Sequence, residues 1–274
     1  MKQWNRRKAT VLILVISILF LVTVAVAGSQ CSDAARATDF SRKNLLPCLE
    51  YPFGTDWMGR DMFARTLKGL SLSILIGMLA AAISAVIALV LGICAATLGR
   101  RADGVITWVI DLIMGIPHML LLILISVAAG RGLKGVIIGV AFTHWTSLAR
   151  LIRAEVMQLK ESPYVKIAGK LGKGKWYVAY RHILPHLLPQ FAVGLVLMFP
   201  HAILHEASIT FLGFGLTSEQ PAIGIILSES MKYLVLGKWW LALFPGLALV
   251  VTVIMFYLLG ENLRRLIDPN SAHE

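Results

Sequence analysis

The sequence has few acidic residues and little charge of either sign. Among its 274 residues, 15 are Asp or Glu and 26 are Lys or Arg, whereas 57% are hydrophobic. Soluble domains have about 45–50% apolar residues, so this composition excludes an ordinary soluble domain. The surplus of basic residues does not indicate nucleic-acid binding, because these residues lie between apolar runs and form no stripe with interleaved aromatic residues. No polar segment is long enough for a second domain, and we predict one membrane domain over residues 1–274.

The motifs of common enzyme classes are also missing. Neither HExxH nor GxSxG occurs in the chain. Residues 169–175 match the first seven positions of a phosphate-binding loop, but Trp176 follows where Ser or Thr must hold Mg²⁺. We therefore predict that this chain is no enzyme and binds no cofactor itself. Secondary transporters usually contain internal repeats, and none is visible, so an ion-coupled secondary transporter is a distant alternative.

Cysteine is rare, with three residues in the whole chain. Cys31 and Cys48 lie in a polar segment, and Cys94 lies within an apolar run. An oxidising compartment would permit an external Cys31–Cys48 disulfide, and two free thiols are the alternative.

The chain does contain six apolar runs that are long enough to cross a bilayer. They are predicted at residues 9–27, 71–98, 105–128, 133–156, 187–215 and 238–260, with a kink at 115–117 and an external segment at 28–70. Most basic residues then fall on one side, which places both termini in the cytoplasm by the positive-inside rule. A cleaved signal peptide is the alternative for the first run. The predicted fold class is all-α, a polytopic membrane protein with six transmembrane helices.

A basic loop, residues 157–186, separates the fourth and fifth runs. Tyr164, Ala168 and Leu171 recur at helical spacing, glycines follow, and a second apolar segment ends at Pro185. We predict a helix, a glycine turn and a short helix that together dock a soluble partner on the cytoplasmic side. Apolar side chains would fill a groove on this partner and lysines would steer it. The predicted docking residues are Tyr164, Lys166, Ala168, Lys170, Leu171, Gly172, Lys173 and Pro185.

This hairpin resembles the EAA loop in the permease subunits of bacterial ABC importers. Residues 166–168 (KIA) stand where the family has Glu-Ala-Ala, Gly172 stands at its glycine, and residues 183–185 (ILP) stand at its hydrophobic-Leu-Pro ending. Further segments are similar to those of the dipeptide, oligopeptide and nickel importers. These are GTDWMGRD at 54–61, FLGFG at 211–215, FPG at 244–246, LGENLR at 259–264, and Asp268-Pro269.

The resemblance implies the type I ABC importer permease fold, with a coupling helix in the basic loop between spans 4 and 5. It implies a heterodimer with a second homologous permease and two ATP-binding subunits, which would hold ATP and Mg²⁺. An extracytoplasmic solute-binding protein and membrane lipid are the other implied partners. The implied location is the inner or plasma membrane of a bacterium or archaeon.

Ionisable residues within the apolar runs bear on the substrate, because lipid disfavours them and they should face a protein interior or a water-filled path. These residues are Asp111, His118, His144, His201, His205 and Glu206. We predict that His144, His201, His205 and Glu206 line the substrate path. His201 and His205 share one helix face, and such a pair can bind Ni²⁺, Cu²⁺, Co²⁺ or Zn²⁺ transiently. An interhelical hydrogen-bonding pair is the alternative role.

The histidines also favour one branch of the resembled family. His201–His205 and His144-Trp145 resemble its nickel branch, so the predicted substrate is nickel or a chelated transition metal, with di- or oligopeptides as the alternative. Two further predictions concern other charged residues. Asp111 should pair with a neighbouring helix or loop, with a role as substrate ligand as the alternative. Asp56, Arg60 and Asp61 should form local ion pairs in the external segment, with contact to the binding protein as the alternative.

Overall fold

The computed structural model of the protein describes residues 6–31, 33–217 and 219–267, so the predicted motif at Asp268-Pro269 lies outside the described residues. Helices dominate the described ranges, which contain no strand longer than an isolated bridge, and the all-α prediction is confirmed. The helices are α1 (Arg6–Gln30), α2 (Met62–Thr97), α3 (Arg100–Gly115), α4 (His118–Ala128), α5 (Gly132–Lys160), α6 (Pro163–Lys170), α7 (Lys175–Val178), α8 (Leu184–Phe211), α9 (Ile223–Leu234) and α10 (Trp240–Ile267).

Within the described residues, five helical segments are long and apolar enough to cross a membrane, and the count becomes six if the bent pair α3 and α4 forms one span. The prediction of six apolar spans agrees with the second count. Large apolar side chains are exposed along α1, α2, α4 and α10. An apolar outer surface of this kind is expected for a protein in a lipid environment, because lipid does not drive such side chains inward.

Helix α2 is the centre of the bundle. Its 36 residues give a length of about 54 Å, well beyond the ~30 Å hydrocarbon core of a bilayer. Small residues let α5 approach it closely, and a Cβ on Gly92 would lie only 2.9 Å from the carbonyl oxygen of Ala149. One apolar core joins α2 to α3, α4, α5 and α8, and a second core joins α1, α2, α8, α9 and α10. The buried Gly, Ala and Ser residues of α2 are Ala64, Gly69, Ser73, Gly77, Ala80, Ala81, Ser84, Ala85, Ala88, Gly92, Ala95 and Ala96.

The predicted kink in the third apolar run is confirmed as a sharp break. Helix α3 ends at Gly115 and α4 starts at His118, and the two axes meet at 99°. Ile116 is extended, with φ −90° and ψ 137°, because the ring of Pro117 disfavours a helical residue before it. The third apolar run is thus two helices.

The segment between α1 and α2, for which we keep the name external segment from its prediction, is shorter than predicted. Helix α1 continues to Gln30 and α2 begins at Met62, so the segment covers residues 31–61 instead of 28–70. Asp61 sets the new boundary, because its side chain accepts a hydrogen bond from the backbone N–H of Phe63 at 2.8 Å and caps α2. The apolar residues of the first turns of α2 are too few to stand out from the polar sequence around them.

The predicted helix end at Pro185 is wrong. The chain stays helical from Trp176 to Phe211, passing through a π-helical turn at Ala179–Ile183. Within this turn the N–H of Leu184 donates to the carbonyl oxygen of Ala179, five residues earlier. Pro185 then lies in the first turn of α8, where a proline needs no donor and its fixed φ suits the helix. The fifth span is therefore continuous with the second helix of the hairpin.

Asp56 organises the external segment and pairs with Arg60 as predicted, whereas Asp61 forms no ion pair among the described residues and caps α2 instead. Its Oδ1 atom accepts from the backbone N–H groups of Met58 (2.9 Å) and Arg60 (3.0 Å). Its Oδ2 atom accepts from Arg60 Nε and Arg65 Nη1, both at 2.7 Å. The network extends further than predicted, because Arg65 Nη2 also donates to Glu229 of α9 at 3.0 Å. The segment is thereby anchored to α2 and α9.

The cysteines form no disulfide. Cys31 is half-buried, Cys48 is exposed, and both are free, as is Cys94. The sulfur of Cys48 instead accepts a hydrogen bond from the backbone N–H of Tyr51 at 3.4 Å. Of the two alternatives, the structure contains the free thiols.

Candidate functional site: a histidine-lined cavity and a basic hairpin

A cavity of about 700 Å³ lies at the α3–α4 break, between this break, α5 and α8. Cavities of roughly 300–1,000 Å³ are typical of small-molecule sites. Apolar side chains such as Ile113 and Met198 form much of the lining, and Thr143, Thr146 and Ser147 add hydroxyl groups. Four histidines also line it: His118, His144, His201 and His205.

Three of these histidines form a cluster, which we call the histidine triad: His118 of α4, His144 of α5 and His205 of α8. Their ring centroids lie 4.6–4.8 Å apart. One nitrogen atom from each ring lies within 4.8 Å of the other two, and all three side chains are half-buried. The break at Pro117 makes the cluster possible, because it starts α4 beside α5 and α8.

Backbone carbonyl groups orient two rings of the triad. His144 Nδ1 lies 3.0 Å from the carbonyl oxygen of Val140, and His205 Nδ1 lies 2.8 Å from that of His201. A carbonyl oxygen only accepts, so these Nδ1 atoms carry the protons and the Nε2 atoms keep their lone pairs. The Nε2 atom of His144 also lies 3.1 Å from Nδ1 of His205. Nε2 of His118 is buried and has no hydrogen-bond partner among the described residues.

The predicted metal pair is not the set that the structure brings together. His201 and His205 both line the cavity, as their shared helix face requires, but His201 is exposed and lies outside the triad. The neighbours of His205 in the triad are His144 and His118, which lie on other helices, and not His201 on its own helix. Sequence spacing within α8 could not reveal these two partners.

Glu206 does not line the cavity, contrary to the prediction. Its side chain is fully buried, and Oε1 accepts a hydrogen bond from Thr210 of the next helical turn at 3.0 Å. Ile203 lies three residues earlier, on the same face of α8, and packs directly on Gly77 of α2. The helical rotation of about 100° per residue therefore turns Glu206 toward α2 and His205 toward the cavity.

The basic loop has the predicted helix, glycine turn and second helix. Ser162 precedes α6, whose first residue is Pro163, and the turn after α6 contains Gly172 and Gly174. Gly172 has φ +77°. The N–H of Lys173 donates to the carbonyl oxygen of Ala168 (3.2 Å), and the N–H of Gly172 donates to that of Gly169 (3.1 Å). This pair of hydrogen bonds defines a Schellman motif, which places a left-handed glycine at the end of a helix.

The exposed face of α6 differs from the predicted one. Ala168 is only 6% exposed and packs inward with Val165, so it cannot contact a partner. Tyr164, Ile167 and Leu171 point outward instead, at the three- and four-residue spacing of one helix face. Further apolar side chains extend this surface on the second helix. We call the exposed set the hairpin surface: Tyr164, Ile167, Leu171, Trp176, Tyr177 and Tyr180.

The charged residues of the hairpin are exposed and partly paired. Lys166 contacts Glu161 at 2.7 Å, and the hydrogen bond and charge from Lys166 lower the pKa of the Glu161 carboxyl group. The ammonium group of Lys173 lies 4.9 Å from the ring centre of Tyr177. Lys170 and Pro185 are exposed as well. The lysines therefore surround the apolar hairpin surface with positive charge.

Several residues outside the predicted sites take part in these arrangements. His118 belongs to the triad, and the signals for it were its ionisable side chain within an apolar run and its position directly after the predicted kink. Arg65 and Glu229 complete the ion network of the external segment, and neither gave a sequence signal because Glu229 is 164 residues away from Arg65. Asp111 pairs with Arg150 of α5 at 2.8 Å, which confirms its predicted structural role.

Comparisons with known proteins give a consistent assignment. Residues 88–273 match the family model described as "Binding-protein-dependent transport system inner membrane component". The dipeptide transport system permease protein DppC of Bacillus subtilis is 31% identical over 269 residues, covering 97% of this chain and 84% of that protein. The oligopeptide transport system permease protein OppC of the same organism is 33% identical over 236 residues, covering 84% and 77% respectively.

A solved structure shares the fold. An inward-facing form of the MetNI methionine ABC transporter superposes on this chain with a TM-score of 0.62 at 16% identity, covering 76% of this chain and 98% of that one. The helical architecture is therefore that of a type I importer permease. Taken with the family match and the relatives along nearly the whole chain, this fold means that the chain belongs to the family of binding-protein-dependent inner membrane components and is a permease subunit of an ABC importer.

Proposed function

We propose that this chain forms half of the translocation pathway of an ATP-driven importer for di- or oligopeptides. The observation that carries the proposal is the cavity of about 700 Å³ at the α3–α4 break. Its volume suits a short peptide, its apolar lining can accept varied side chains, and its hydroxyl and imidazole groups can bind a peptide backbone. The names of the relatives from Bacillus subtilis support peptides as the cargo.

The expected nickel substrate gains no such support, because the reported relatives are named as dipeptide and oligopeptide permeases. The histidine pair that favoured nickel is also divided, since only His205 belongs to the triad. We therefore adopt peptide import, the alternative in the sequence analysis, as the function of the transporter.

The other subunits would bind distinct surfaces of this chain. Two ATP-binding subunits would supply ATP and Mg²⁺, and one would dock on the hairpin surface, which is apolar and surrounded by lysines. A second permease would cover the open side of the cavity, where α3 and α4 expose Trp108, Leu120 and Leu124. The solute-binding protein would meet the ordered external segment. The location would be a bacterial or archaeal inner or plasma membrane, with both termini cytoplasmic.

A growth assay tests the peptide cargo. A bacterial amino-acid auxotroph without its own peptide permeases would express this chain with its cognate subunits and receive the missing amino acid only as a dipeptide. We expect growth, and we expect none when this chain alone is omitted. If no di- or tripeptide supports growth, and the same transporter instead restores a nickel-dependent enzyme in a nickel-uptake mutant, the peptide proposal is wrong.

A further inference from the structure

We propose that the histidine triad binds a divalent late transition-metal ion, of the class Ni²⁺, Cu²⁺, Zn²⁺ or Co²⁺, at the wall of the substrate cavity. His118, His144 and His205 come from three different helices, α4, α5 and α8. Each contributes one imidazole nitrogen to a group in which all distances are within 4.8 Å. The ion would therefore join three elements that the fold brings together at the α3–α4 break.

The nitrogen atoms of the triad lie near enough to one another for ring rotation to form a three-histidine site. Zn–N bonds are about 2.0–2.1 Å long, so ligand nitrogens around one ion lie roughly 3.3 Å apart. One nitrogen from each ring of the triad lies within 4.8 Å of the other two, up to about 1.5 Å farther apart than in such a site. Rotation of the imidazole rings about their side-chain bonds would bring these atoms inward on binding, and the rings face a cavity with room for it.

The hydrogen bonds around the triad also suit a metal site. Metal-bound histidines usually donate their second N–H to a carbonyl or carboxylate group, which fixes the tautomer and the ring orientation. His144 and His205 have such partners in the carbonyl oxygens of Val140 and His201. The Nε2 lone pair of His205 is thus left for a ligand, and Nε2 of His144 would exchange its contact with His205 Nδ1 for the ion.

An alternative role for the triad is interhelical hydrogen bonding, but it does not account for His118. A His144–His205 hydrogen bond satisfies those two residues. The buried Nε2 atom of His118 has no partner within the described ranges. Burying an unpaired polar atom costs free energy, and a metal ion shared by the three rings would remove that cost.

The ligand set selects the class of ion. Imidazole nitrogens suit Zn²⁺, Cu²⁺, Ni²⁺ and Co²⁺, whereas Mg²⁺ and Ca²⁺ prefer oxygen ligands. Three protein ligands leave further coordination positions open, as in sites where a metal meets a small molecule. These positions would face the cavity, where the amine and amide nitrogens of a short peptide could occupy them. The ion could thus arrive free or as a peptide chelate, and the second source rests on the proposed peptide import.

Cobalt binding by the purified full-length chain tests the site, because tetrahedral Co²⁺ with nitrogen ligands absorbs visible light. We expect one Co²⁺ per chain by equilibrium dialysis, with a visible absorption band. His118→Ala, His144→Ala and His205→Ala should each weaken binding at least about tenfold. His201→Ala is the matched control, since it removes a histidine from the same cavity but outside the triad, and its affinity should be unchanged. Gel filtration of every variant, together with His144→Gln as a milder substitution, separates lost binding from lost folding.

Absence of saturable Co²⁺ binding by the folded wild type would overturn the proposal. So would an equal loss of affinity in His201→Ala and the triad variants. Addition of glycylglycine distinguishes the two sources of the ion. Tighter Co²⁺ binding with the dipeptide supports a chelate in the site, and unchanged binding supports the free ion. Neither Co²⁺-binding measurement involves transport. A negative result in either is therefore distinct from a failure of peptide import in the growth assay.

Discussion

Replacing Gly172 by Asp is expected to reduce ATP-dependent uptake by the assembled transporter at least about tenfold, while membrane insertion of the chain is unchanged. Gly172 is the left-handed residue of the Schellman motif that ends α6, with φ +77°. A residue with a Cβ is destabilised by about 1–2 kcal/mol in this conformation. A free-energy difference of about 1.4 kcal/mol corresponds to a factor of ten in an equilibrium constant. The substitution would therefore shift the direction in which α6 presents the hairpin surface.

The consequence follows from the role that we propose for the hairpin. A closing ATP-binding subunit must push on a rigid lever, and the turn at Gly172 fixes the angle between α6 and α7. An ideal Cβ at this position would meet no atom within 4 Å, so the expected defect comes from backbone strain and not from a clash. Uptake of labelled dipeptide and ATPase stimulation by the loaded binding protein would measure it.

Two controls separate backbone strain from charge. Gly174→Asp introduces the same negative charge two residues away, where an ideal Cβ also meets open space and φ is not in the left-handed region. We expect this variant to keep most of its uptake. Gly172→Ala adds backbone strain without charge, and its uptake should fall as that of Gly172→Asp does. Normal uptake by Gly172→Asp would contradict the proposed role of the hairpin as a rigid lever. Equal losses of uptake in Gly172→Asp and Gly174→Asp would assign the effect to the added charge.

Replacing Arg65 by Ala is expected to destabilise the folded chain by about 3–5 kcal/mol, because it breaks a buried ion network from one side. The Arg65 side chain is 3% exposed and contacts Asp56 at 2.7 Å and Glu229 at 3.0 Å. Its loss would leave the Asp56 carboxylate, 5% exposed, with Arg60 as its remaining cationic partner. The external segment would lose its link between α2 and α9.

Thermal unfolding of the detergent-purified chain would measure this loss. A destabilisation of that size should lower the unfolding midpoint by about 10 °C or more. Arg42→Ala is the matched control, since Arg42 belongs to the same segment and pairs with Asp39 and Glu50 at 3.1 Å but is 47% exposed. Exposed ion pairs contribute about 0–1 kcal/mol, so its midpoint should hardly change. Equal midpoints for Arg65→Ala and wild type would contradict an anchoring role for the network.

The helical class, the spans and the hairpin could be predicted because their signals are local in the sequence. Apolar runs are visible from composition, and the break before Pro117 follows from the conformation that a proline imposes on its neighbour. The hairpin has a proline at its start and glycines at its turn. Asp61 was visible too, but its function as the cap of α2 depends on where the helix begins, and helix ends are poorly marked in apolar sequence.

The remaining errors concern relations between elements. Helix α6 has one wide apolar stripe, and only packing decides which part of it is buried. The part with Val165 and Ala168 is buried, and the part with Tyr164, Ile167 and Leu171 is exposed. Pro185 would end a helix in most contexts, because it has no N–H group to donate. Here the π-helical turn directly before it changes the hydrogen-bonding pattern, and the helix continues. The triad could not be predicted, because the spacing of residues does not give the angle of the α3–α4 break. This angle of 99° places His118 beside the other two histidines.

Uptake of a radiolabelled dipeptide into proteoliposomes tests the central claim most directly. The vesicles would contain this chain, its partner permease and the ATP-binding subunits, with ATP on the side of those subunits and the binding protein on the other. The account predicts accumulation that requires both ATP and the binding protein and stops with a non-hydrolysable ATP analogue. Uptake driven by an ion gradient without ATP, or ATP-dependent uptake of nickel with no transport of any peptide, would contradict it.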